Sequence, residues 1–244
     1  FSKDLKYAEA LKSYEQTISI CKQLGDTAVD LQLKAEQQLP INYYKLGKSY
    51  FDAKNYADAI PNFEKSIQFA DQIGDTKTAD NSRAYLAGIY NSYGNADYKN
   101  EALDQAIEKY NKAISYKSGY YKAYLGLGLV YKKQGNLPLM KDALDKVIAM
   151  AGNDTLNIDK AKDAAASAFF NAGASAIPSK KYSVAVEDLI TSQEYDITNP
   201  VTYYYLAVAY NGLSKWDDAI TAANKALELQ TEDKSDIYFE LGNA

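Results

Sequence analysis

Between Pro40 and Ala70 the apolar positions recur at helical spacing. Tyr43, Leu46, Gly47 and Tyr50 fall at i, i+3, i+4 and i+7, so they share one face of a helix. After a break at Lys54–Asn55, Ala59, Phe63 and Ser66 fall at i, i+4 and i+7 and predict a second helix. Gly47 and Ala59 are small, so the two axes can come close there, while Tyr50 and Phe63 fill the space beside them. Asp58 suits the positive end of the second helix's dipole. One such hairpin cannot bury both of its faces, which predicts stacking on copies of itself.

The copies are in the chain. Tyr7-Ala8-Glu9-Ala10-Leu11, continuing to Tyr14 and Thr17, matches Tyr56-Ala57-Asp58-Ala59-Ile60, continuing to Phe63 and Ser66, at an offset of 49 residues. Both helices end alike, in Gln23-Leu24-Gly25-Asp26-Thr27 and Gln72-Ile73-Gly74-Asp75-Thr76. Gly reads there as a C-terminal cap and Asp-Thr as a cap for the following helix. The next first helix is expected to start near Ala28 and to kink at Pro40. A third unit carries Leu86, Ala87 and Tyr90, then Ala106, Tyr110 and Ala113, with Arg83 in the leading aromatic place and Gly94–Asn100 as an enlarged loop. The fourth has Tyr124, Leu127, Gly128 and Tyr131, then Met140, Leu144 and Val147, and ends near Gly152. A helix from about Asn157 leads to the fifth, with Phe169, Gly173, Ala185, Leu189 and Ser192. The sixth has Tyr203, Leu206, Ala207, Tyr210, Ala219, Ala223 and Ala226, with Ser214 and Asp217 spaced like a capping box. Tyr238, Leu241 and Gly242 begin a seventh. From Gly47 through Ala87, Gly128, Gly173, Ala207 and Gly242 the small sites are 40, 41, 45, 34 and 35 residues apart. Nothing reads as strand.

The aromatic, Leu-Gly, Tyr, Ala and Phe pattern resembles the tetratricopeptide repeat (TPR), with Tyr43 where that family usually has Trp and Asp71 where it ends in Pro. The resemblance covers nearly the whole chain. It implies an all-α fold, a right-handed α-solenoid of helix hairpins with a concave binding groove. One domain over residues 1–244 is expected: a half repeat at 1–26, units at 27–74, 75–119, 120–152, 157–199 and 200–234, and a half repeat at 235–244. A half-hairpin at each end reads as a fragment or processed form.

One residue on from the core stripe, Tyr44, Lys48 and Phe51 form a parallel stripe about 100° around the helix. In the family that stripe faces the groove. The corresponding sets are Ala84, Gly88 and Asn91; Leu125, Leu129 and Lys132; Phe170, Ala174 and Ile177; and Tyr204, Val208 and Asn211. The candidate partner-binding residues are therefore Tyr44, Lys48, Phe51, Asn91, Leu125, Lys132, Phe170, Tyr204 and Asn211. An aromatic, apolar concavity suits peptide anchors; the competing reading is that these side chains pack against neighbouring helices. One TPR subgroup grips a partner's C-terminal carboxylate with Lys, Asn and Arg. Those types are not assembled here across adjacent repeats, so chaperone-tail binding is not expected. The 23 Tyr include the run Tyr203-Tyr204-Tyr205. Tyrosine rings also stack on sugars, which makes a glycan module the second reading. It needs polar groups beside the rings, and Asn211 is the candidate near Tyr204.

Composition narrows the chemistry. The net charge is −5 and the pI about 5.0, which argues against nucleic acid or an anionic membrane as the main partner. With no His the commonest general base and metal ligand is missing, and Cys21, the single Cys, reads as core packing. Gly126-Leu127-Gly128 lies inside a helix and lacks the strand–turn setting of a phosphate loop. Acidic pairs such as Asp217–Asp218 sit at helix starts, where the dipole explains them. The expectation is a non-catalytic scaffold without metal or cofactor. No apolar run is long enough to span a membrane. The Tyr-, Asn- and Lys-rich style leans towards an exported or periplasmic bacterial protein.

Overall fold

The computed structural model describes residues 3–230 and 234–244, and among these every regular element is helical. The chain divides into two compact units, Phe1–Ala123 and Tyr124–Ala244. The first holds α1 (Lys3–Leu24), a 3-10 turn (Gly25–Ala28), α2 (Val29–Glu36), α3 (Leu39–Asp52), α4 (Tyr56–Ile73), α5 (Thr76–Lys99) and α6 (Leu103–Tyr116). The boundary falls inside α7 (Tyr121–Lys133). The second unit continues with α8 (Leu137–Met150), α9 (Thr155–Ala176), α10 (Tyr182–Tyr195), α11 (Pro200–Gly212), α12 (Trp216–Leu229) and α13 (Ser235–Asn243).

Local chemistry sets the boundaries. Asn55, Asp75, Asn136 and Asp154 each precede a helix, and each side chain accepts the N–H three residues on. Gly74 closes α4 in the left-handed region, at φ 74°. Three expectations change. The helix before Pro40 is broken rather than kinked: α2 stops at Glu36, and α3 restarts with Pro40 in its first turn, where a missing N–H costs nothing. Asp26 lies in the 3-10 turn and caps no helix. Ser214 is left-handed, at φ 56°, and the N-cap of α12 is Lys215 with no side-chain bond, so there is no capping box.

The hairpin seams depend on missing side chains. A Cβ on Gly47 would lie 3.0 Å from the Phe63 ring, one on Gly173 2.7 Å from Leu189, and one on Gly128 would run into Leu144. In the third hairpin this place belongs to Gly94, whose Cβ would lie 2.7 Å from Tyr110. The register therefore moves two turns from Ala87 to Gly94, and Gly94 to Gly128 becomes 34 residues, the plain repeat period. The stretch expected as an enlarged loop is the end of the 24-residue α5, and its connection to α6 is short. Tyr90, not Arg83, fills the leading aromatic place. Arg83 instead grips Asp71 with two bonds of 2.7 and 2.8 Å. Leu86 and Ile89 of α5 pack onto Ala59 and Phe63 of α4, and the extra N-terminal turns run ahead of them over residues 76–85.

A second device recurs between successive hairpins. Rings pair face to face in Tyr43–Phe69, Tyr90–Tyr116 and Phe169–Tyr195, at 5.6, 5.6 and 6.4 Å. In each pair one hydroxyl donates to a carboxylate on the second helix of the preceding repeat: Tyr43 to Glu15, Tyr116 to Glu64 at 2.7 Å and Tyr195 to Asp145 at 2.5 Å. Each pair also has a lysine over a ring, Lys65, Lys112 and Lys141 at 5.0, 5.1 and 5.3 Å. Burial, then the bond to Asp145, pushes the Tyr195 hydroxyl up to about 12. Two seams share a further contact: Ser66 donates to the Pro40 carbonyl and Ser192 to the Ala166 carbonyl, both at 2.9 Å and both across 26 residues. Cys21 is buried, as its helical setting predicts.

Candidate functional site

In the first unit α3 presents Tyr44, Lys48 and Phe51 at spacings of four and three residues, one side of a helix. The two rings meet Tyr85 of α5. Tyr44 is edge-on to it at 5.8 Å and Phe51 edge-on at 4.9 Å. Tyr85 also stacks flat on Phe63 at 4.9 Å, which ties the stripe to the core. Phe51 touches Tyr56 at 5.5 Å, and Tyr56 meets Tyr93 at 5.9 Å. Burial and the neighbouring Tyr85 raise the Tyr44 hydroxyl above its ordinary range. Lys48 is held by Asp52 one turn away at 2.6 Å, so its charge is neutralised within the helix. Asn91 of α5 is only 9% exposed, and its Oδ1 is buried without a partner.

In the second unit the stripe runs over α7, α9 and α11. Leu125 is 9% exposed and belongs to the core. Lys132, near the end of α7, is half-buried and donates to the Ser167 hydroxyl of α9 at 2.6 Å. Burial lowers its ammonium pKa, while Asp163 pulls the other way. One turn beyond Ser167, Phe170 is edge-on to Tyr205 at 5.3 Å, and Tyr205 is edge-on to Tyr204 at 5.4 Å. Beside these rings lies an open pocket of about 230 Å³ lined by Pro200, Val201, Tyr204, Tyr205, Gln230, Asp236 and Ile237. Asn211 donates to the backbone oxygen and the carboxylate of Glu240 at 2.9 and 2.8 Å. That commits the amide nitrogen of the polar group which a sugar would need beside Tyr204, and its Oδ1 is buried.

The stripe residues therefore gather into two sets. Tyr44, Lys48 and Phe51 meet around Tyr85; Lys132, Phe170 and Tyr204 follow one another along α7, α9 and α11. Asn91 and Leu125 are sunk below the surface, and Asn211 is occupied by α13. Tyr85 and Tyr205 were missed by the pattern because both lie one place off the stripe. Once Gly94 fixes the register of α5, its earlier turns must face α3 and α4, and that would have found Tyr85.

Models of this repeat match the chain in three places: one described as "TPR repeat" at residues 94–135, and one described as "Tetratricopeptide repeat" at 42–73 and 121–154. The Arabidopsis thaliana protein "Tetratricopeptide repeat domain-containing protein PYG7, chloroplastic" is 32% identical over 69 residues, 28% of this chain. The match spans 23% of that protein, less than a quarter of its length. Among solved structures, MamA 41-end from Desulfovibrio magneticus RS-1 is similar at a TM-score of 0.39 and 18% identity, covering 65% of this chain and 90% of that one. YrrB, described as a TPR protein with an unusual peptide-binding site, is similar at a TM-score of 0.36 and 16% identity, covering 82% and 91%. Among the described residues, no helix is long and apolar enough to cross a membrane. With the glycine seams at Gly94 and Gly128 one plain period apart and repeat models matching residues 42–73 and 94–154, the chain carries tetratricopeptide repeats.

Proposed function

We propose that this chain is a non-catalytic scaffold that holds a peptide or protein segment against the stripe carried by its first helices. Tetratricopeptide repeats generally mediate protein–protein interaction. The observation that supports this reading here is the placement of half-buried rings, Tyr44, Phe51 and Tyr85 in one unit and Phe170, Tyr204 and Tyr205 in the other. Rings that are held by neighbours but keep an open side lose little freedom on contact, which suits them as anchors. The acidic balance of the chain favours a protein segment over nucleic acid.

The test is selection from a phage-displayed library of random linear peptides on the 244-residue chain, followed by affinity measurement on Tyr44→Ala and Tyr204→Ala. At least one variant is expected to weaken the selected peptides about tenfold. Binding that survives both moves the site off the stripe, and a chain that selects sugars on a glycan array but no peptide replaces the reading.

A further inference from the structure

Lys132 differs from the other stripe lysine. Lys48 lies 2.6 Å from Asp52 and its charge is already balanced. Lys132 makes no ion pair among the described residues; its partner is the neutral hydroxyl of Ser167, at 2.6 Å. That hydroxyl donates onward to the Asp163 backbone carbonyl at 2.7 Å, so its lone pairs face the ammonium. The Asp163 carboxylate acts on Lys132 through space without touching it. A half-buried ammonium resting on a hydroxyl keeps two N–H donors for another acceptor, and a carboxylate supplies charge as well as acceptor.

The surroundings give the site a direction. From Lys132 and Ser167 the stripe passes Phe170 and Tyr205 and reaches the open pocket of about 230 Å³, whose lining includes Val201, Tyr204 and Ile237. Asp236 also lines that pocket. An anionic group is therefore repelled at the pocket end and attracted at the Lys132 end, while an apolar group is matched in the reverse order.

We propose that the second unit takes an acidic, apolar-anchored peptide segment, an Asp or Glu side chain pairing with Lys132 between α7 and α9 and an apolar side chain entering the Val201–Tyr204–Ile237 pocket. This rests on the stripe being the binding face, and it adds the ligand's chemistry and polarity. The acidic group is a side chain within the segment; a free C-terminal carboxylate is one of the outcomes tested.

The experiment pans a phage-displayed library of random dodecapeptides, fused at their C-termini so that none carries a free end, on the full chain and on Lys132→Met. Selected peptides are then synthesised as C-terminal amides and measured by fluorescence polarisation. The wild type is expected to enrich acidic peptides with an apolar residue. Lys132→Met is expected to bind them about tenfold more weakly, and Glu→Gln in the peptide is expected to weaken the wild type about as much but leave Lys132→Met unchanged. Raising the salt concentration should weaken only the Lys132-dependent part. Thermal unfolding of Lys132→Met at the wild-type midpoint separates the loss from misfolding. If Tyr204→Ala still weakens binding while Lys132→Met and Glu→Gln change it less than about twofold, the acidic inference falls and the groove reading stands. Peptides that bind only as free acids replace the side-chain carboxylate with a terminal one. Failure to select any peptide overturns both readings.

Discussion

The two units place the same helix positions on the same stripe and leave them in different states. In the first unit the rings brace one another. Tyr85 lies flat on Phe63 and takes Tyr44 and Phe51 on its edges, and Lys48 is paired with Asp52. In the second, Tyr204 and Tyr205 line an open pocket, Phe170 packs on Tyr205, and Lys132 has a hydroxyl where Lys48 has a carboxylate. The stripe rings are thus half-buried in both units, tied to a core ring in one and bordering a pocket in the other. The difference comes from α5, whose extra N-terminal turns bring Tyr85 over the stripe of α3.

Three pairs of substitutions break or sharpen that contrast. The largest effect is expected from Tyr85→Ala, which removes the ring that Tyr44, Phe51 and Phe63 share. It should lower stability by about 2–3 kcal/mol in urea denaturation, against about 1 kcal/mol for Tyr205→Ala, whose ring has fewer neighbours. Equal losses would remove the distinction between the two stripes.

A smaller contrast lies in the seams. Ser82 donates to Ser66 at 2.9 Å, and Ser66 to the Pro40 carbonyl, all buried. Ser66→Ala should cost about 2 kcal/mol because it strands the Ser82 hydroxyl, and adding Ser82→Ala should recover part of it. Ser192→Ala, at the matching place in the second unit, breaks a single bond and should cost about 1 kcal/mol. The smallest effects concern the lysines: Lys48→Met and Lys132→Met should each stay within about 0.5 kcal/mol of the wild type. Lys132→Met should be the more stable of the two, since it removes a partly desolvated charge and Lys48→Met leaves Asp52 without its partner.

Much of this was legible in the residues. The i, i+3, i+4, i+7 spacing of Tyr43, Leu46, Gly47 and Tyr50 gave the hairpin, and Asn55, Asp75 and Gly74 gave its limits. The register of the third hairpin was not legible. Ala87 and Gly94 are both small and lie two turns apart on the same face, so periodicity cannot choose between them. Contact with Tyr110 chooses Gly94, because only a hydrogen fits under that ring. The stripe was equally half-readable. Spacing put Asn91, Leu125 and Asn211 on it as surely as Tyr44, but burial took the first two and Glu240 took the third.

Sequence by itself therefore determined the helices, the caps at Gly74 and Asp75, and the fact that the hairpins repeat, since these follow from local dihedral preference and period. Tertiary structure decided which of two small residues meets a ring, which stripe aromatics stay open, and which lysine lacks an acid. Those are properties of distance between helices, and no spacing along one helix encodes them.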